Sequence, residues 1–106
     1  MKAVAKQLVM KNILGLHMKP AAEISRISSR YQSDIQMFKN DGRANLQSIF
    51  EILILGIQHG DTFELSASGH DAEEALEAIS GFLAAYRDVE IGNNFTKVKS
   101  SDSRVA

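Results

Sequence analysis

The sequence predicts an α+β fold, an open-faced β-sandwich in which a four-stranded, mainly antiparallel sheet has three helices on one face. Three observations predict it: apolar residues alternate in several short segments, they recur at helical spacing in others, and the elements follow the order βαββαβα. Strands joined by hairpins and interspersed with helices are typical of one layer of helices packed on one layer of sheet.

Length and composition restrict the possible functions. With 106 residues, 44% of them hydrophobic, the chain is expected to form one domain with one modest core. The formal net charge of -1 provides no basic field for nucleic acid, and the absence of cysteine excludes disulfides and fits a reducing compartment. No signal-peptide pattern and no apolar run of about 20 residues is present. We therefore expect a cytoplasmic monomer with neither nucleic acid nor membrane insertion among its interactions.

The first strand and the first helix come from two different periodicities. Over residues 4–10, Leu8 and Met10 alternate with their neighbours, which suits a strand. From Ala21 onward, apolar residues fall three or four positions apart and charged residues take the opposite side, as in an amphipathic helix. The apolar positions of this helix are Ala21, Ile24, Ile27 and Tyr31.

A hairpin and a short helix follow. Ile35 and Met37 alternate with polar neighbours, and the turn sequence Asn-Asp-Gly at residues 40–42 supplies residues that tolerate positive φ angles. The next segment, SIFEILILG, is rich in Ile and Leu and could be a buried strand. Its ends favour a helix, because Ser48 and Glu51 form a capping-box pattern and Gly56 suits a left-handed C-terminal position.

The last strand and the last helix have the clearest patterns. TFELSAS alternates strictly, which predicts a strand with one face on the core. Asp71 and Glu74 repeat the capping pattern before a long amphipathic helix. Its apolar residues are Ala75, Leu76, Ile79, Phe82, Leu83 and Tyr86. Beyond them the periodicity fades, so we expect a domain over residues 1–88 and a flexible, polar C-terminal tail over residues 89–106.

The stretch GLHMKP places His17 at the start of the first helix. Pro20 is tolerated only in the first turn, so the helix must begin close to His17. Unpaired backbone N–H groups and the positive end of the helix dipole would then face whatever the imidazole carries, which suits a phosphate. An ordinary imidazole, with a pKa of about 6.5, is an available nucleophile near neutral pH. Lys19 is the candidate cation for charge stabilisation.

Three stretches of the chain resemble the HPr family, the histidine-containing phosphocarrier proteins of the bacterial phosphotransferase system. They are GLHMKPAAEI, NLQSIFEILILGI and GDTFELSASGHDAEEALEAI. The resemblance implies that His17 receives a phosphoryl group from enzyme I and passes it to sugar-specific enzyme II components. The usual family motif is Gly-Leu-His-Ala-Arg-Pro, and here Met18 and Lys19 replace Ala-Arg.

The resemblance also implies a regulatory and a docking role for the Ser48 helix. Ser48 matches a serine that a dedicated HPr kinase/phosphorylase modifies in many relatives, and the same hydroxyl suits an N-cap. An apolar patch on this helix, beside the active histidine, is where partners of the family bind. The corresponding residues here are Leu46, Ile49, Phe50 and Leu53.

Other functions stay open at this point. The Met18-Lys19 departure allows a regulatory binding module, or a nitrogen-branch phosphorelay protein, built on the same architecture. An enzyme using His17 as a general base lacks a paired carboxylate, a serine nucleophile or a cofactor loop in the sequence. His59 and His70 fit turn and cap positions, so we expect no metal site. Taken with the missing catalytic groups, this predicts a phosphoryl carrier without a cofactor rather than an enzyme.

Overall fold

The computed structural model describes residues 2–88, which form the seven predicted elements in the predicted order. The strands are β1 (Ala3–Val9), β2 (Asp34–Lys39), β3 (Gly42–Asn45) and β4 (Thr62–Ser68). The helices are α1 (Met18–Ser28), α2 (Ile49–Leu55) and α3 (Ala72–Ala85). The C-terminal tail expected over residues 89–106 lies outside the described residues.

The four strands form one antiparallel sheet in the order β1-β4-β2-β3. β4 is central and pairs along its length with β1, from Ala3 opposite Ser68 to Val9 opposite Thr62. On its other side β4 pairs with β2, with Ile35 opposite Ala67, and β3 completes the sheet as the second half of the hairpin. The predicted fold class is confirmed.

The core lies between one face of the sheet and the three helices. The strict alternation in β4 buries Phe63, Leu65 and Ala67, as the sequence predicted. α3 packs on β1 and β4, α2 packs mainly on β3, and α1 contacts α2 and α3. Ile24 and Ile79, from α1 and α3, are fully buried, so each helix contributes an apolar side to one continuous core.

The local signals around α2 are confirmed with one change. Ser48 is the N-cap and its hydroxyl accepts a hydrogen bond from the Glu51 N–H at 3.2 Å, while Gly56 ends the helix with φ of 69°. The Glu51 carboxylate does not return to the backbone of Ser48. It accepts the Asn45 N–H at 2.8 Å, because the end of β3 brings that group within reach. The side chain therefore ties the strand to the helix.

The capping role predicted for Asp71 is wrong. Asp71 is the N-cap residue of α3 by position, but its side chain makes no hydrogen bond to the helix. Its carboxylate accepts the Ser33 O–H at 2.6 Å and the N–H groups of Ser33 and Gln32 at 2.9 Å. The Ser33 hydroxyl and then the Gln32 N–H lower the pKa of Asp71 below its ordinary value. Donors of the α1–β2 loop lie close to α3 and outcompete the helix N–H groups.

No helix within residues 2–88 is long and apolar enough to cross a membrane.

Candidate functional site

His17 is the N-cap residue of α1, with extended backbone angles of φ -86° and ψ -169°. Its carbonyl oxygen accepts the Ala21 N–H at 3.0 Å, so helical bonding begins at His17. The helix thus starts at Met18, three residues before Ala21, where the apolar spacing placed it. The spacing missed the first turn because Met18 and Lys19 are exposed, whereas Pro20 lies in that turn as expected.

The N-terminus of α1 is favourable for an anion. The His17 side chain makes no capping hydrogen bond, and the first turn contains no acidic residue. The first N–H groups of a helix have no partner within it, and the helix dipole places partial positive charge at this end. A phosphoryl group on His17 would therefore lie beside uncompensated donors.

The loop before His17 is fixed against the connection between α2 and β4. Gly15 has φ of 69°, and a Cβ atom there would lie 2.6 Å from the Ile57 carbonyl oxygen. The same oxygen accepts the Leu16 N–H at 2.9 Å, and the Leu16 side chain is buried. A side chain at position 15 would push this loop, and with it His17, away from the domain.

Among residues 2–88, Asp88 makes the hydrogen bond to the His17 ring. Its Oδ2 atom lies 2.9 Å from Nε2 of His17 and accepts a hydrogen bond from the Asn12 side-chain amide at 2.6 Å. The Tyr86 hydroxyl donates to the other carboxylate oxygen at 2.9 Å. The Asp88 N–H donates to the Asn12 side-chain oxygen at 2.7 Å. Residues from the two ends of the domain thus meet at His17.

The environment keeps Asp88 ionised. Burial raises the pKa of the Asp88 carboxyl, but hydrogen bonds from Asn12, His17 and Tyr86 outweigh burial and hold that pKa below its usual range. Burial, followed by the hydrogen bond to Asp88, raises the pKa of Tyr86. Asp88 therefore presents a carboxylate to His17 at neutral pH. No local sequence pattern indicates this contact, because 71 positions separate the two residues.

The other predicted polar residues, Lys19, His59 and His70, are all exposed. Lys19 is exposed in the first turn of α1 and forms no ion pair with any described residue. His59 and His70 are exposed in loops, and no group of three His, Cys, Asp or Glu side chains within residues 2–88 is arranged to hold a metal ion. Lys19 is thus close in sequence to His17 and available to an incoming group.

The predicted docking patch is corrected at one position. Leu46 is fully buried, so it cannot contact a partner: its N–H donates to Ile35, its carbonyl accepts the Ser28 hydroxyl, and its side chain enters the core. Ile49 and Leu53 are half-buried, whereas Phe50 is 76% exposed.

The sequence patterns did not identify Ile54, which is 83% exposed on α2, or the exposed Leu14 and Met18, which are close to His17 in the chain. A helix rich in Ile and Leu on most sides conceals which of them face solvent, so the pattern alone could not find Ile54. α2 packs against α1, the helix on which Met18 lies, whereas Leu14 belongs to the loop before that helix.

Comparison with known proteins gives a consistent result. Residues 4–85 match the family model described as the PTS HPr component phosphorylation site. The chain is similar to the phosphocarrier protein HPr of Mycoplasma genitalium, with 36% identity over 78 residues, 73% of this chain and 89% of that protein.

Two solved structures are also similar. HPr-C-His from Thermoanaerobacter tengcongensis has a TM-score of 0.73 and 36% identity, and the match covers 80% of this chain and 93% of that chain. A phosphocarrier protein HPr from Bacillus anthracis str. Ames has a TM-score of 0.73 and 33% identity, covering 76% of this chain and 96% of that chain.

Proposed function

The chain belongs to the HPr family of the phosphotransferase system, and we propose that it carries a phosphoryl group on His17 from enzyme I to sugar-specific enzyme II components. The observation that carries the proposal is the position of His17, partly exposed at an N-terminus of α1 that no side chain caps. Phosphoryl transfer depends mainly on placement and charge stabilisation, which this position supplies.

The transfer needs no cofactor or metal from the carrier. The lone pair of a ring nitrogen of His17 forms the bond to phosphorus while the bond to the donor breaks and its electron pair leaves with the donor. The reverse steps deliver the group to the acceptor. The first N–H groups of α1, which no side chain caps, and the exposed Lys19 support this step, because both can stabilise the phosphoryl oxygens. The chain acts as a covalent carrier, and its partners supply the catalysis.

Partners dock, in this proposal, on the exposed apolar residues of α2 together with those beside His17. Phe50 and Ile54 are exposed and are flanked by the half-buried Ile49 and Leu53. Exposure of such an apolar surface to water is unfavourable, and its burial against a partner would stabilise the complex. Ser48 at the start of α2 is the proposed site of regulatory phosphorylation by an HPr kinase/phosphorylase. The cytoplasmic location expected from the sequence is part of the same proposal.

The test is phosphorylation of the purified chain by enzyme I and phosphoenolpyruvate, followed by intact-mass measurement. The unaltered chain should gain one acid-labile phosphoryl group, and His17→Ala should gain none. His59→Ala is the matched control, because His59 is an exposed loop histidine, and it should be labelled normally. Labelling of His17→Ala would exclude His17 as the acceptor. An unlabelled native chain would instead favour the regulatory module that the Met18-Lys19 departure allows.

A further inference from the structure

The hydrogen bond between His17 and Asp88 determines which ring nitrogen carries a proton. In a neutral imidazole one nitrogen donates and the other accepts, and the partner of each nitrogen sets the tautomer. An ionised carboxylate can only accept a hydrogen bond. Because Oδ2 of Asp88 lies 2.9 Å from Nε2 of His17, the proton belongs on Nε2 and the lone pair on Nδ1.

The carboxylate of Asp88 is held in place by the buried side chain of Asn12. Asn12 is 2% exposed, and its amide nitrogen donates both to the Gly15 carbonyl at 2.9 Å and to Asp88 at 2.6 Å. Its side-chain oxygen accepts the Asp88 N–H at 2.7 Å. Rotation of this amide by half a turn would break all three bonds, so the orientation of Asn12 is fixed. The Tyr86 hydroxyl holds the second oxygen of Asp88.

We propose that Asp88 is a positioning residue, which with Asn12 holds the His17 ring in the Nε2-protonated form and directs the nucleophilic Nδ1 toward the phosphoryl donor. The inference rests on the proposed carrier function and extends it, since neither the sequence motif nor the position of His17 involves residue 88. Carboxylates that orient an imidazole in this way fix its tautomer and rotation in many sites.

Asp88 forms and breaks no covalent bond in the transfer step. The Nδ1–phosphorus bond forms, the bond to the donor breaks, and the donor keeps the electron pair. The proton on Nε2 stays where it is, hydrogen-bonded to Asp88. The positive charge that the ring acquires is then offset by the carboxylate. Since Nε2 is turned to Asp88, that carboxylate does not occupy the position at which Nδ1 takes up the anionic group.

Two substitutions of Asp88 separate the hydrogen bond to the ring from the charge of the carboxylate. In Asp88→Asn the fixed amide of Asn12 requires the single oxygen at the Oδ2 position, where it also accepts from Nε2 of the ring. The NH₂ group then faces the Tyr86 hydroxyl, which can accept a hydrogen bond, and the proton should stay on Nε2. Asp88→Ala leaves Nε2 to water, which does not hold one tautomer. We therefore expect Asp88→Ala to impair phosphoryl acceptance more than Asp88→Asn.

The first measurement is ¹⁵N NMR of the neutral His17 ring in the unphosphorylated protein. Native protein and Asp88→Asn should show the Nε2-protonated form, and Asp88→Ala should show a mixture of the two tautomers. The second is the initial rate of labelling by enzyme I, which should fall about 10- to 100-fold in Asp88→Ala, by analogy with the loss of a group that orients a metal-bound histidine. Asp34→Asn is the charge-matched control. Asp34 pairs with Ser68 at the end of the sheet remote from His17, so both readouts should stay unchanged.

The outcomes distinguish this inference from the function on which it rests. The NMR result needs no phosphoryl transfer, so it stands or fails even if His17→Ala shows that another residue is the acceptor. A native tautomer in Asp88→Ala overturns the inference. A rate loss in Asp88→Asn equal to that in Asp88→Ala overturns it too, because the hydrogen bond to the ring would then not account for the effect.

Discussion

Two features of the structure meet at His17. Nε2 of its ring faces the anchored carboxylate of Asp88. Its backbone starts a helix whose first N–H groups no side chain caps. In the proposed carrier, the first arrangement would orient the nucleophile, and the second would favour the anion that it carries. The sequence predicted the second, because Pro20 marks the helix start locally. It could not predict the first, since Asp88 and Asn12 approach each other only through the tertiary fold.

Replacement of Lys19 tests the cation at this site. Lys19→Arg should transfer phosphoryl groups to an enzyme II component at close to the native rate, because arginine holds phosphate with a planar pair of donors. Lys19→Ala should be severalfold slower, because an exposed ion pair contributes about 0.2–1 kcal/mol. Lys6→Ala, which removes an exposed lysine from the middle of β1, is the control and should not change the rate. Equal rates for Lys19→Ala and the native chain would remove Lys19 from the mechanism.

Among the elements, α2 is the shortest helix and depends most on its surroundings. Helices below about 12 residues are marginal alone, so its seven residues need tertiary support. Ser48 caps its start, Ile52 anchors its buried side, and Lys39 donates to the Gly56 carbonyl at its end at 2.8 Å. These three contacts hold the helix while its outer side stays apolar and exposed. The stability of α2 and its proposed docking role therefore involve different residues.

Two substitutions at Ser48 should separate those roles. Ser48→Ala removes the cap and should cost about 1 kcal/mol of stability, with little effect on association with enzyme I. Ser48→Asp can still cap, so its melting temperature should stay close to native. It should nevertheless slow labelling of His17, because Phe50 and Ile49 would be buried against a partner beside a hydrated anion. Melting temperature and affinity for enzyme I, measured on the same preparations, check both. Unchanged affinity in Ser48→Asp would confine Ser48 to its capping role.

The start of α3 should show a pH-dependent contribution from Asp71. Its pKa is depressed in the folded chain by the Ser33 hydroxyl and then the Gln32 N–H. Its stabilising contribution is therefore present above the unfolded value of about 3.9 and is lost as pH falls through the lower folded value. Asp71→Asn should melt several degrees below the native protein at neutral pH, and the gap should narrow below about pH 4. A gap that stays constant through this acid range would contradict the role assigned to the carboxylate.

At the scale of the whole molecule, the sequence predicted what is local and repeated. Alternation identified the sheet face of β4, and the order of elements followed from periods and turn residues. The sequence could not predict that α3 packs on β1, a contact that brings residues 86–88 against the loop after β1. Nor could it predict that the Asp71 carboxylate would bind the α1–β2 loop, because a capping pattern reports local geometry alone. In both of these regions, a single carboxylate, that of Asp88 or of Asp71, accepts hydrogen bonds from a distant part of the chain.

Shortening the chain tests where the folded unit ends. Within residues 2–88 the buried apolar residues lie between Met10 and Leu83, and the described contacts of His17 end with Asp88. Residues 89–106 are polar and lack apolar periodicity, so a chain ending at Asp88 should keep its melting temperature and accept a phosphoryl group at the native rate. Circular dichroism and intact-mass labelling measure the two properties.

Asp88→Ala in the shortened chain is the informative comparison, because both proteins then end at the same position with the same terminal carboxylate. The alanine form loses the bonds from Asn12, Tyr86 and His17, and the Asn12 amide stays buried without one of its partners. An unsatisfied buried donor costs about 1–3 kcal/mol, so this form should melt at a clearly lower temperature and accept phosphoryl groups more slowly. If the shortened native sequence itself lost stability to the same degree, residues 89–106 would belong to the folded unit and the boundary at Asp88 would be wrong.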